Sequence, residues 1–172
     1  MNIIVVPYNR IHFYFRPDSS INRAWDDFYT PDFVTQIAAV PFAYVKICKA
    51  GKAVMKRFAG RYYDSPGYGI AIRADSLIDT TPASSCIANA LDYSTYFSYD
   101  SKRPVTDVFT KNGVAIPIMP FPSKEEIEQS IEQVTSIASI RHGDILLFEL
   151  HEGARLACGD IIGLGDSLFS VK

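Results

Sequence analysis

Short apolar or alternating runs recur along this chain, and they are not interleaved with segments of helix length. That pattern most constrains the fold, because strands that outnumber helices and do not alternate with them favour a mixed or antiparallel β architecture. Ile3 to Val6 reads as a short buried strand. In Ile11 to Phe15, Ile11, Phe13 and Phe15 alternate with His12, Tyr14 and Arg16, so the second set is expected to face solvent. Pro17 to Ser20 marks a turn. Further strands are expected at Ala43 to Ile47, Tyr68 to Ile72, Val114 to Met119, Ile145 to Leu150 and Ser167 to Val171. Asn112-Gly113 suggests a hairpin, since both residues tolerate positive φ.

Two helices are expected. Lys52 to Tyr63 places Val54, Phe58 and Tyr62 four apart, as one buried stripe requires. Ser123 to Ile140 opens with a capping box, Ser123 with Glu126, and gathers Ile127, Ile131, Val134 and Ile137 on one face. His142-Gly143-Asp144 turns the chain into the next strand, and Cys158-Gly159-Asp160 repeats that turn.

The chain has 172 residues, which suits one domain spanning 1–172 and allows roughly two-thirds of the unfolded surface to be buried. A net charge of −2, with Lys and Arg spread along the chain, points away from nucleic acid. The apolar run after Met1 is too short for a signal peptide. Ile37 to Val45, interrupted by Pro41, is too short for a membrane span. A cytoplasmic location is expected. Cys48, Cys86 and Cys158 have no metal-type spacing, and Cys48 and Cys158 read as buried, inert thiols.

Several segments, in order, resemble the fumarylacetoacetate hydrolase family, especially its hydroxyheptadienedioate isomerase and acylpyruvase members. Phe13 to Ser19 is similar to F-F-x-K-P-D-S, Pro31-Asp32-Phe33 to P-D-F, and Lys46 to Lys52 to R-I-C/S-R-x-G-K. Arg57 to Asp64 is similar to R-F-A-H-R-Y-Y-D, and Gly69-Ile70 to the start of G-I-D. His142 to Leu146, Gly159-Asp160-Ile161 and Val171-Lys172 resemble the closing helix-to-strand turn and final strands. The resemblance covers 13–172. It implies a mainly β fold with a few helices (α+β), a mixed β-sandwich roll, and a dimeric habit.

The resemblance also implies chemistry. Family enzymes hold an oxo-acid substrate on Mg²⁺, Mn²⁺ or Ca²⁺, hard cations that want anionic oxygens. Two glutamates (E-x-E) and the aspartate of G-I-D supply them, and spacing of two puts both glutamates on one strand face. Here those positions fall on Val40, Phe42 and Ala71, and none can bind a metal. The family lysine falls on Asn89. The pocket loop T-G-T-P corresponds to Phe148 to His151. The N-terminal G-R-N-Y lid, with the His and Glu after it, has no counterpart.

A carboxylate cluster without its cation would repel and lose hydration, so the set is tolerable with metal or absent altogether. The expectation is therefore a protein of this fold without metal cofactor or family reaction, acting through a homodimer, a family paralogue or a small oxo-acid ligand. The alternative is an active, divalent-metal-dependent hydrolase, isomerase or decarboxylase with relocated acids, the candidates being Asp64, Asp75, Asp92 and Glu149. A purely structural homodimer, or a subunit beside an intact paralogue, is the third reading.

Other chemistry-bearing residues read as structural. His151-Glu152 would point to opposite faces of a strand, His142 suits a helix C-terminal cap, and His12 suits a cross-strand contact. Ser84-Ser85-Cys86 lacks a histidine placed to activate it. Arg61-Tyr62-Tyr63 reads as scaffold.

Overall fold

The structure is a computed structural model describing residues 1–81, 83–97 and 107–172. Its larger sheet runs in the order β2 (Tyr14–Arg16), β1 (Ile3–Val6), β8 (Ile145–Glu149), β3 (Ile37–Ile47), β4 (Tyr63–Arg73) and β5 (Thr95–Phe97). A further strand, β9 (Ala154–Leu156), pairs with the start of β3. The smaller sheet is β11 (Ser167–Ser170), β10 (Ile161–Leu164), β6 (Phe109–Lys111) and β7 (Val114–Ala115). Among the described residues, β1 and β8 are the one parallel strand pair; the other strand pairs are antiparallel. Among the described residues there are also three α-helices, α1 (Lys56–Ala59), α2 (Ser84–Ala88) and α3 (Lys124–Ile137), and two short 3-10 turns, Asp18–Ser20 and Asp75–Leu77. The fold is mainly β with mixed, curled sheets, as the strand-rich pattern leads one to expect.

The central strand is β3, buried at every residue but Lys46, because elements cover both of its faces. On one face Ile37 and Ala39 join Ile70, Ile72 and Tyr96 against Phe109, Ile162 and Phe169 of the smaller sheet. Tyr96 stacks on Phe169 with ring centroids 3.9 Å apart. Farther along that face, Val45 and Ile47 pack with Ile127, Ile131 and Val134 of α3. Pro41 is tolerated in mid-strand by its position. Its carbonyl accepts from the Leu150 amide, so its missing N–H points to the same side, between the stretches that pair with β9 and β8.

Several local expectations hold. Asn112 and Gly113 have φ of 51° and 77° in a two-residue turn pairing Lys111 with Val114. The Ser123–Glu126 capping box is formed in both directions. Among the described residues, no helix is long and apolar enough to cross a membrane.

Others are corrected. The second strand is only Tyr14–Arg16, and its faces are reversed: Tyr14 and Arg16 stand beside Val5 and Ile3, Arg16 is buried and Phe15 is 43% exposed. Its polar side chains find buried partners, which alternation cannot foresee. The helix expected at Lys52 to Tyr63 shrinks to Lys56–Ala59. Gly51 bridges to Ile140, and Ala53, at φ 52°, donates its N–H to Thr135 O, so this segment is bent against the end of α3. The next helix ends at Ile137, which is 71% exposed. Its C-cap is Ala138, so His142 is not the cap of this helix. The strand at Val114 to Met119 is only Val114–Ala115, and Cys158 is exposed.

Candidate functional site

The remaining face of the larger sheet carries the residues to which the resemblance assigns chemistry. Val40 and Ala71 are register partners on β3 and β4, and Phe42, two residues on, pairs with Gly69 and with Glu149. Alternation therefore puts Val40, Phe42, Ala71 and Glu149 on one face, side by side. Val40, Phe42 and Ala71 pack with Ile3, Val5, Tyr44, Phe97, Ile145 and Leu147 into one buried apolar cluster. The Phe42 ring lies over Gly69, where any Cβ would run into the ring and the Tyr96 carbonyl. A side chain at Gly69 would thus evict Phe42.

A buried polar group sits beside this cluster. Tyr14 Oη donates to Glu149 Oε1 at 2.7 Å, and Tyr8 N–H donates to Oε2 at 3.0 Å. Arg10 donates to the Glu149 carbonyl at 2.9 Å. Arg16 spreads its guanidinium over three neutral acceptors, Asn89 Oδ1 at 3.0 Å, Ile72 O at 3.1 Å and Ser94 Oγ at 2.7 Å. Among the described residues it has no carboxylate within ion-pair distance. Burial lowers the Arg16 pKa from the ordinary arginine value, opposed by the nearby Tyr14 and Glu149. Burial, then the Glu149 charge, pushes the Tyr14 phenol well above the usual tyrosine range. Arg73, on the same face, bonds Asp75 at 2.6 Å and the Glu152 carbonyl at 2.8 Å. Burial works against its charge, but Asp75 more than offsets that and raises its pKa.

The four candidate acids are not gathered. Glu149 is buried on the face just described. Asp75 follows the end of β4, bound to Arg73, whereas Asp64 is exposed at its start, roughly 30 Å along the strand. Asp92 is exposed beside Tyr93. Among the described residues, no three His, Cys, Asp or Glu side chains lie together as a metal site requires. Asn89 does come to the site, as a partner of Arg16 and donor to Ser85 O. A divalent cation does not fit this residue set. Val40, Phe42 and Ala71 offer no side-chain oxygen, and both Glu149 carboxylate oxygens already accept hydrogen bonds.

Sequence reasoning missed Tyr14, Arg16 and Arg73. A tyrosine and an arginine two apart beside an apolar strand were the available signal for the first two. His151 Nδ1 accepts from Gly153 N–H at 2.9 Å, a turn contact. Ser84 Oγ donates to Thr81 O, again a local bond.

No family model matches the chain, and no curated protein matches it in sequence. Solved structures do match. A 2-hydroxyhepta-2,4-diene-1,7-dioate isomerase from Mycobacterium marinum aligns at TM-score 0.76 and 13% identity, covering 99% of this chain and 73% of that one. A 5-carboxymethyl-2-hydroxymuconate delta-isomerase from Mycobacterium smegmatis aligns at 0.74 and 13%, covering 99% and 78%. A protein assigned to the fumarylacetoacetate hydrolase family, from Yersinia pestis, aligns at 0.72 and 15%, covering 99% and 92%. The motif resemblance and the spatial likeness agree, and the chain has the fumarylacetoacetate hydrolase fold.

Proposed function

We propose that this chain keeps the fumarylacetoacetate hydrolase scaffold without the family's metal-dependent C–C hydrolase or isomerase reaction, and acts as a binding or partner protein. One observation carries the reading: Val40, Phe42 and Ala71, neighbours on one sheet face, form a packed apolar cluster where the resemblance assigns three carboxylates. Apolar packing of this kind removes the need for a cation, because no buried negative charges remain to be neutralised. The nearby charges, Arg16, Arg73, Asp75 and Glu149, are occupied with protein partners. The partner is a second copy of the chain or an intact paralogue, or the ligand is a small oxo acid. The compartment is the cytoplasm.

The test is thermal unfolding in Mg²⁺, Mn²⁺ or Ca²⁺, with and without oxalate as a pyruvate-like ligand, together with an acylpyruvate cleavage assay. A ligand at a hundred times its Kd would add about 2.7 kcal/mol and raise Tm by several degrees. The expected result is no saturable rise that depends on metal and no metal-dependent cleavage; a rise with oxalate alone would single out the small oxo acid as the ligand. A saturable rise with cleavage would overturn the proposal in favour of an active enzyme with relocated acids.

A further inference from the structure

We propose a second, independent binding site, for a small organic ammonium ion, in the cavity between the Asn22–Tyr29 segment and the Asp92–Tyr93 turn. The cavity has a volume of about 250 Å³, and its lining includes Asn22, Asp26, Asp27, Tyr29, Asp92 and Tyr93. Three carboxylates and no cationic side chain line it. Asp27 is engaged elsewhere, accepting from Ser170 N–H at 2.8 Å and pairing with Lys172 at 3.4 Å. The carboxylates of Asp26 and Asp92 have no hydrogen-bond or ion-pair partner among the described residues, so two negative charges are free to meet a ligand.

The aromatic walls select the kind of cation. Tyr29 is 73% exposed and Tyr93 66%, so both rings are accessible to a ligand, and an aromatic ring attracts an organic cation through its quadrupole. A bare divalent ion needs several converging oxygens, and no three acids, histidines or cysteines converge among the described residues. The volume lies just below the roughly 300–1,000 Å³ of drug-sized pockets, so the occupant is small.

The walls are also preformed. Asn22 exchanges two 3.1 Å bonds with the Asp26 backbone, and Tyr96 Oη donates to Asp26 O at 3.2 Å. Tyr93 N–H donates to Ser19 O at 3.1 Å. The backbones bearing Asp26 and Tyr93 are therefore held before any ligand arrives, which lowers the entropy cost of binding.

Calorimetric titration of the full chain with tetramethylammonium tests this, at constant ionic strength, with sodium as charge control and tert-butanol as an uncharged ligand of similar bulk. Asp92→Asn and Tyr29→Ala are the variants; both side chains are exposed, and a melting curve checks that each variant folds. Saturable binding of the ammonium alone is expected, weakened about fivefold in at least one variant. No saturable binding, an equal response to sodium or tert-butanol, or unchanged affinity in both variants would overturn the proposal. The titration does not touch Val40, Phe42 or Ala71, so its failure leaves the reading of the main site standing.

Discussion

Tyr14 and Glu149 are 135 positions apart in the chain, and their side chains meet through a 2.7 Å hydrogen bond beside the apolar cluster of Val40, Phe42 and Ala71. The bond ties the first hairpin, β1 and β2, to the end of β8. Tyr14→Phe removes the donor and leaves one oxygen of a buried carboxylate short of a partner. The expected cost is about 1–3 kcal/mol, read by denaturant unfolding. Glu149→Gln keeps an acceptor and should cost less. A double-mutant cycle should show coupling of at least about 0.5 kcal/mol, and additive effects would mean the contact carries no energy.

Arg16 is the larger commitment. It is 3% exposed, and its three acceptors come from β4, the end of α2 and the turn before β5. Arg16→Met leaves Asn89 Oδ1 without its buried donor and Ser94 Oγ with only its bond to the Leu91 carbonyl, and a loss of about 3 kcal/mol is expected. Arg16→Lys keeps the charge but cannot fork across Asn89 and Ser94 at once, so it should recover only part of that loss. Tm of both variants against the parent decides it.

The strand order was not legible in the sequence, but the strands themselves largely were. Ile3–Val6, Ile145–Glu149 and the Asn112-Gly113 hairpin follow from local pattern, because pleat alternation and turn chemistry act over a few residues. The faces of Tyr14–Arg16 were misread because alternation reports which set is more apolar, not which set is satisfied in the interior. Lys52 to Tyr63 failed for a related reason: its helical spacing lost to contacts of Gly51 with Ile140 and of Ala53 with Thr135, both distant in the chain. The positions Val40, Phe42 and Ala71 came from motif spacing alone, and the sheet register makes them neighbours. Arg73 offered only the nearby Asp75 as a signal, and its bond to the Glu152 carbonyl, 79 positions away, had none.

A carboxylate returned to the apolar cluster should behave as an intruder. Val40 is 1% exposed among aliphatic and aromatic neighbours, so Val40→Glu buries either a charge or an unpaired carboxylic acid. A loss of several kcal/mol is expected, smaller at acid pH where the neutral form dominates. Urea unfolding across pH measures it. Recovery of stability on adding Mg²⁺ would instead mean that other oxygens at this face already complete a cation site.

Alkaline pH should unfold this protein through its buried tyrosines. Burial raises the Tyr44 phenol to about 12 and pushes Tyr14 and Tyr96 further in the same direction. A pKa raised in the folded state means the unfolded chain loses its protons first. The stability is therefore fully present below the ordinary tyrosine value of about 10 and is lost as pH rises above it. Unfolding monitored at rising pH should begin near that value, with tyrosinate absorbance appearing together with loss of structure. Tyrosinate forming fully before any unfolding would contradict the burial argument.

The two turns with His-Gly-Asp and Cys-Gly-Asp share one geometry but differ in stake. In the first, Asp144 accepts from Arg141 N–H at 2.8 Å and donates its amide to Arg141 O at 3.1 Å. In the second, Asp160 accepts from Ala157 N–H at 2.8 Å and donates to Ala157 O at 3.1 Å. Both central glycines have φ of 90°, where a side chain is strained. Asp144 is 1% exposed and also accepts two bonds from Asn2, at 2.7 Å and 3.1 Å, fixing the start of β1. Asp160 is only partly buried and shares its charge with Lys111 at 3.0 Å. Asp144→Ala should therefore cost about 3 kcal/mol, because three donors lose their buried, charged partner, and Asp160→Ala about 1 kcal/mol. Equal losses in parallel melts would show that the turn alone, and not its link to the first strand, sets the energy.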